Sequence, residues 1–347
     1  MKKFLITLLG VSMFHAMTQA AENQAASAVD HQRVRTAVDK SLVLLQRASA
    51  GSAEKRPCFT CHSQAHPVLA ITAARDLGFR IDKANLRRQL DHTAAFLGRG
   101  KENYVAGKGQ GGRIDTAGYA LWTLQVGKHK PDVVTAAVAE YMLKTNADSD
   151  HWTHSSNRPP TEASDFTTTY VALRGLVAFG TAEQRMRIAQ RQNTVVQWLL
   201  KTRTSDTEDQ VFQLRSLTFV RAETEAQQTF ADALITAQRP DGGWAQKNDM
   251  VSDAYATGTV LACLVQTGHV VPTSTVYQRG LKFLLQSQKA DGSWLVESRS
   301  KPFQKYFETG FPHGVNQFVS TSATAWATIA LIESLPKPAP MQPLSDE

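Results

Sequence analysis

Cys58, Cys61 and His62 stand together as C-x-x-C-H. Two thiols at that spacing reach the two vinyl groups of one porphyrin, and the histidine that follows points at its iron, which is the attachment pattern of haem c. The same residues permit two other chemistries. One is a disulfide or redox pair between Cys58 and Cys61 in an oxidising compartment. The other is a zinc site built from Cys58, Cys61, His62 and a distant ligand. His66 lies four residues after His62, so on a helix both share one face. It therefore does not reach the opposite side of the same iron and is expected to be structural. A sixth iron ligand would come from His313, Met250, His151 or His154, or from no protein group.

Covalent haem attachment requires export, and the N-terminus is written for it. Lys2 and Lys3 precede a short apolar run from Phe4 to Met17, and small residues follow at Ala20 and Ala21. This pattern predicts a signal peptide over residues 1–20, and a periplasmic protein if the source is a Gram-negative bacterium. The run is too short to span a bilayer, and no later stretch is long and apolar enough. The net charge of +7 is modest and spread along 347 residues. Without a basic block interleaved with aromatics, nucleic acid is not an expected partner. The three cysteines are too few for a disulfide-built scaffold, so stability must come from packing. Cys263, the third, lies in an apolar stretch and reads as inert core.

The elements that must position these groups come from an internal repeat. Residues 231–244 (ADALITAQRPDGGW) and 281–294 (LKFLLQSQKADGSW) share a helical stretch, a Gln, an Asp-Gly turn and a Trp, and 141–152 (YMLKTNADSDHW) is a degenerate copy. Each is followed by a second kind of segment, such as 165–179, 253–267 and 320–335, small and apolar nearly all round. The first kind is amphipathic and belongs at a surface; the second belongs in an interior. Surface helices are expected at 31–48, 83–98, 131–145, 182–201, 225–237 and 275–289. Buried helices are expected at 62–77, 114–126, 165–179, 210–221, 253–267 and 320–335. Six such pairs predict an all-α fold, an α6/α6 toroid of two concentric layers over 21–335, with a disordered tail at 336–347.

The segments Gln238-Arg-Pro-Asp-Gly-Gly-Trp244 and Gln288-Lys-Ala-Asp-Gly-Ser-Trp294 resemble the repeats of squalene-hopene cyclases and their prenyltransferase relatives. The stretches Lys301–Gly314 and Gln317–Ser320, with Cys58–Gln64, resemble an exported bacterial subfamily. The resemblance implies that the Gln caps the outer helix and the Trp ties neighbouring pairs. It also implies a cavity for an isoprenoid or other lipid. The departures are specific. Cyclases of that family carry a D-x-D-D run at the mouth of an inner helix, where this chain has Ser164-Asp165-Phe-Thr-Thr-Thr169. A lone carboxylate lacks the neighbours that strengthen a proton donor.

Three residues are weak catalytic candidates. Asp165 and Asp253 open buried helices, each after a serine, where they are expected either to cap them or to orient a ligand. His313 lies in the long connection 297–318, expected to fold over one end of the ring and bring that histidine near the cavity. Residues 98–112 are expected to be a flexible Gly- and Lys-rich loop. The leading expectation is a haem-carrying toroid in electron transfer or small-molecule redox chemistry, with a periplasmic redox protein or a small lipophilic ligand as partner. The alternative is a lipid-binding protein or enzyme using the cavity without haem.

Overall fold

The computed structural model describes residues 29–301 and 305–337. The proposed signal peptide and the last ten residues lie outside that range. Thirteen α-helices run from His31 to Glu333. The outer ones are α1 (His31–Lys55), α3 (Lys83–Arg99), α6 (Val133–Lys144), α8 (Arg185–Lys201), α10 (Thr224–Thr236) and α12 (Thr275–Ser287). The inner ones are α2 (His66–Asp76), α5 (Arg113–Val126), α7 (Asp165–Phe179), α9 (Thr207–Phe219), α11 (Ala254–Gln266) and α13 (Gln317–Glu333). A short extra helix, α4 (Lys101–Val105), sits where the flexible loop is expected. It is held there by Gln110, which takes the Tyr104 hydroxyl and reaches the Phe96 carbonyl.

Amphipathic periodicity explains the outer layer. In α12, Tyr277, Leu281, Leu284 and Leu285 are buried while Arg279, Lys282 and Gln286 are exposed. The inner helices touch in the cyclic order α2, α5, α7, α9, α11, α13 and back to α2, so the ring is closed. The molecule is an α/α toroid of two concentric layers.

The Asp-Gly-x-Trp segments work as ties between neighbouring pairs. Trp152, Trp244 and Trp294 are each fully buried. Each indole N–H donates to the carbonyl ten residues earlier, at Met142, Leu234 and Leu284, at 2.8–2.9 Å. Each backbone N–H donates to a threonine of the next inner helix, Thr169, Thr257 or Thr324. The glutamine carries the tie sideways. Gln238 donates to Val276 of α12, and Gln288 donates to Ala37 of α1, 251 residues away, which seals the ring. Gly242 and Gly292 sit at φ +88° and +93°, a region that favours glycine. A Cβ at Gly292 would meet the Lys40 backbone at 2.7 Å, so the turn lies directly on the first helix.

One expectation needs refinement. The inner layer is not purely apolar: α13 buries Ser320, Thr321, Ser322, Thr324 and Thr328. Their hydroxyls are satisfied locally or by the adjoining layer. Thr321 and Thr328 donate to carbonyls four residues back, and Ser41 of α1 bonds Thr328 at 2.7 Å. Small hydroxyls let helices approach as alanine does and still leave no unpaired group.

Candidate functional site

The residues 61–65 form a π-helical turn that feeds α2, a distortion found often at functional sites. Thr60 caps it, and Gln64 reaches back to the Thr60 N–H at 2.9 Å. The preceding strand of chain is pinned to α3, where His92 donates to the Cys58 carbonyl and Arg99 to the Pro57 carbonyl. The turn points Cys61 and His62 inward, at 2 % and 8 % exposure, and leaves Cys58 exposed.

Opposite them stands a residue that sequence reasoning missed. Glu162 is buried, its Oε1 accepts from the Cys61 thiol, and its Oε2 pairs with the Arg158 guanidinium at 2.6 Å. Arg158 and Glu162 also pair backbone to backbone, which fixes the loop across the mouth of the ring. The Cys61 sulfur, the His62 ring and the Glu162 carboxylate offer ligand atoms that all lie within 4.8 Å of one another. Burial, and then the Glu162 charge, push the Cys61 thiol well up. Burial and the nearby Arg158 hold His62 neutral, with its pKa down at about 3. Burial raises Glu162 against the opposing pull of Arg158. His62 Nδ1 contacts the Cys61 sulfur at 3.5 Å, and Phe318 meets the ring edge-on at 5.0 Å. Nε2 is buried with no hydrogen-bond partner. His62 lines a cavity of about 60 Å³ with Thr161, Ser298, Ser300 and Phe318, enough for a water or two.

A strap made of residues 297–301 and 305–316 lies over this end of the ring. Lys55 and Arg56 hold the Glu308 and Lys305 carbonyls, and Gln317 anchors Thr309. His313 bonds Ser293 through its Nε2 at 2.7 Å and is not among the residues lining the cavity beside His62 or the one at the other end of the ring. The Asp291 turn captures it through Ser293 before it can reach the ring.

The other candidates are equally specific in their places. Asp253 caps α11, accepting from the Tyr255 and Ala256 N–H groups. Asp165 does not cap α7, because Ser164 does. It instead takes the His154 N–H and ring and faces His151. Burial pushes its pKa up, but those two histidines outweigh the effect and hold it at about 2. An ionised carboxylate is the opposite of the acid that protonates an alkene. His151 and His154 are thus committed to Asp165, and His151 also stacks on Trp198 at 4.3 Å. Neither they, Met250 nor His313 is among the residues lining the cavity beside His62. His66 is structural: its Nδ1 bonds Ser322 at 2.9 Å, within the packed interior. Cys263 is buried among apolar neighbours, as expected. A second missed acid, Glu208, is fully desolvated between Thr167 and Tyr255, and burial raises its pKa strongly.

Residues 108–337 match the family model of the squalene-hopene cyclase C-terminal domain. The chain belongs to that family. Lanosterol synthase of Aspergillus fumigatus is 36% identical over 106 residues, 30% of this chain and 13% of that one. A terpene cyclase/mutase of Nectria sp is 32% identical over 108 residues, 29% of this chain and 14% of that one. The aligned stretch is therefore a small fraction of either curated relative. Among solved structures, the type II terpene cyclase MstE from Scytonema aligns with TM-score 0.55 and 13% identity, covering 88% of this chain and 99% of that one. A protein from Actinoplanes aligns at TM-score 0.54 and 12% identity, covering 85% and 99%. A variant of the Scytonema enzyme, solved with geranylgeranyl dihydroxybenzoate, aligns at 0.50 and 10% identity, covering 88% and 99%. These likenesses show the fold: the family's toroid, here with a thiol, an imidazole and a carboxylate gathered at one mouth.

Proposed function

We propose that this cyclase-family toroid is an exported carrier of haem c, held by Cys58, Cys61 and His62, that serves electron transfer or small-molecule redox chemistry. The observation that carries the reading is His62 Nε2, a buried donor atom with no protein partner on the histidine of a C-x-x-C-H run. A neutral imidazole with one nitrogen free is the form that binds a metal. Bound there, haem supplies one-electron chemistry. The chain's part is to hold and shield it: two thioethers at the turn, the Phe318 edge fixing the imidazole plane, and the strap excluding water. The space now enclosed beside His62 is far smaller than a porphyrin, so the strap is the element that must yield to the group. Partners under this reading are a periplasmic redox protein or a small oxidisable molecule.

A second reading is favoured by the 4.8 Å clustering of the Cys61, His62 and Glu162 ligand atoms. Three protein ligands of sulfur, nitrogen and oxygen suit a zinc ion with one open position. Triterpene cyclisation is not the reading we favour, since Asp165 is ionised and has no acidic run beside it.

The experiment is an intact mass and a reduced-minus-oxidised spectrum of protein exported from cells with a working cytochrome c assembly system. Haem that stays on the denatured chain supports the first reading. A colourless protein containing one zinc per chain replaces it with the second. A colourless, metal-free protein ends both.

A further inference from the structure

The other end of the ring holds a larger cavity, about 640 Å³, walled by residues of all six inner helices, most of them from the C-terminal halves. Along α2 its wall takes Leu69, Thr72, Ala73 and Asp76, beyond the turn that carries His62. Trp122, Tyr170 and Trp326 give it an aromatic wall, and Arg174 and Arg215 stand against that wall. The Arg174 guanidinium lies 4.9 Å from the Trp122 ring, and that of Arg215 lies 5.1 Å from Trp326.

These arginines are held but not used up. Arg215 is only 5 % exposed. Its Nη1 donates to Gln266 at 2.9 Å, while Nε and Nη2 are buried with no partner. Arg174 gives Nη1 to the Tyr170 hydroxyl at 3.0 Å and leaves Nε unpartnered. Among the described residues neither guanidinium has a carboxylate within ion-pair distance. The one acid in the wall, Asp76, pairs with Arg75. The carbonyls that end α9 are already taken by the N–H groups of Val220 and Ala222. Stacking on indoles fixes where a guanidinium lies but satisfies none of its in-plane donors. A buried cation with idle donors costs stability unless a counter-charge arrives.

We propose that this funnel binds an amphiphilic oxyanion, a carboxylate or phosphate on a flat apolar body. The planar fork of a guanidinium matches either oxyanion with paired hydrogen bonds. The tryptophan and tyrosine faces take the body. The volume is that of a small-molecule site. The site is independent of what His62 holds.

Calorimetric titration tests it, since heat is read whether or not a haem absorbs. The probes are naphthoate, naphthyl phosphate, neutral naphthamide and inorganic phosphate. Naphthoate or naphthyl phosphate is expected to bind at least tenfold more tightly than naphthamide and than inorganic phosphate, and the better of the two names the oxyanion. R215M is expected to weaken that probe about ten- to hundredfold and to leave naphthamide unchanged. R215K, which keeps the charge but not the fork, is expected to recover only part of the loss. The wild-type comparison stands even if a variant fails to fold. Equal affinity for naphthamide and naphthoate, binding of inorganic phosphate as tight as that of naphthyl phosphate, or no binding of any probe would overturn the proposal.

Discussion

Replacing His66 with glutamine is expected to remove about 2 kcal/mol of acid sensitivity from the fold between about pH 7 and pH 5. His66 is wholly buried, bonded to Ser322 and packed edge-on against Tyr119 at 5.1 Å. Burial, and then the charge of His62, push its pKa from 6.5 to about 3. The folded value is below the unfolded one. Its contribution is therefore complete above about pH 6.5 and is lost as the pH falls towards 3. Inside that window each pH unit costs about 1.4 kcal/mol. Most of the first unit and a half lies between pH 7 and 5, which gives the 2 kcal/mol. The assay is urea unfolding of wild type and H66Q at both pH values, with the same cofactor content. Glutamine keeps a polar contact for Ser322 but has no proton to gain. Whatever the substitution itself costs is common to both pH values and drops out of the double difference. If H66Q loses as much stability on acidification as the wild type, the imidazole is not held neutral by burial and the reasoning fails.

Three further outcomes are expected. G292A should lower the melting temperature more than G268A. Both glycines have φ above +80° or at it, but a Cβ at Gly292 strikes the Lys40 backbone, whereas none lies within 4 Å of Gly268; equal losses would show that the turn does not bear on α1. W294F should destabilise by about 0.5–1.5 kcal/mol through loss of the indole bond to the Leu284 carbonyl, which keeps the Gln288 N–H, and an unchanged urea midpoint would refute the tie. C58S and C61S should each retain haem by a single thioether under denaturing mass analysis and lose it together, while E162Q should leave haem in place but abolish zinc binding under the second reading.

Most of the fold was legible because the pattern is local and repeated. Alternation of amphipathic and buried helices places every inner and outer helix within a few residues, apart from the longer α1. The repeated Gln, Asp-Gly and Trp give the ties. The site was legible only in part, for a physical reason. Cys61 and His62 are adjacent in sequence, but Glu162 joins them across about a hundred positions, brought there by ring closure and the 158–162 loop. Nothing in Thr161-Glu162-Ala163 distinguishes that glutamate from a surface acid. Glu208 opens an inner helix, and an acid there was a readable sign of a buried carboxyl. The Ser293 bond to His313 was not legible, because distance along a loop says little about which turn will capture a side chain. Of the two roles open to Asp165, capping falls away because Ser164, one residue earlier, already fills it.

The toroid's polarity explains why its two ends differ. All six inner helices begin near the C-x-x-C-H turn and run towards the funnel, whose wall takes residues from each of them, mostly from their later halves. Helix starts carry partial positive charge and helix ends partial negative charge. Acids collect at the first end, with Asp115, Glu162, Asp165, Asp209 and Asp253 at or before the opening turns. Bases collect at the second, with Lys128, Arg174 and Arg215. With Arg158 paired to Glu162 at the first end and Asp76 paired to Arg75 at the second, the remaining side chains offset their own helix termini and present the opposite sign to a ligand. The acid-rich mouth is suited to a metal cation beside Cys61 and His62, and the base-rich funnel to an anion on an aromatic wall. A metal at the funnel, or an anion bound beside Glu162, would contradict that sorting more directly than any single mutant.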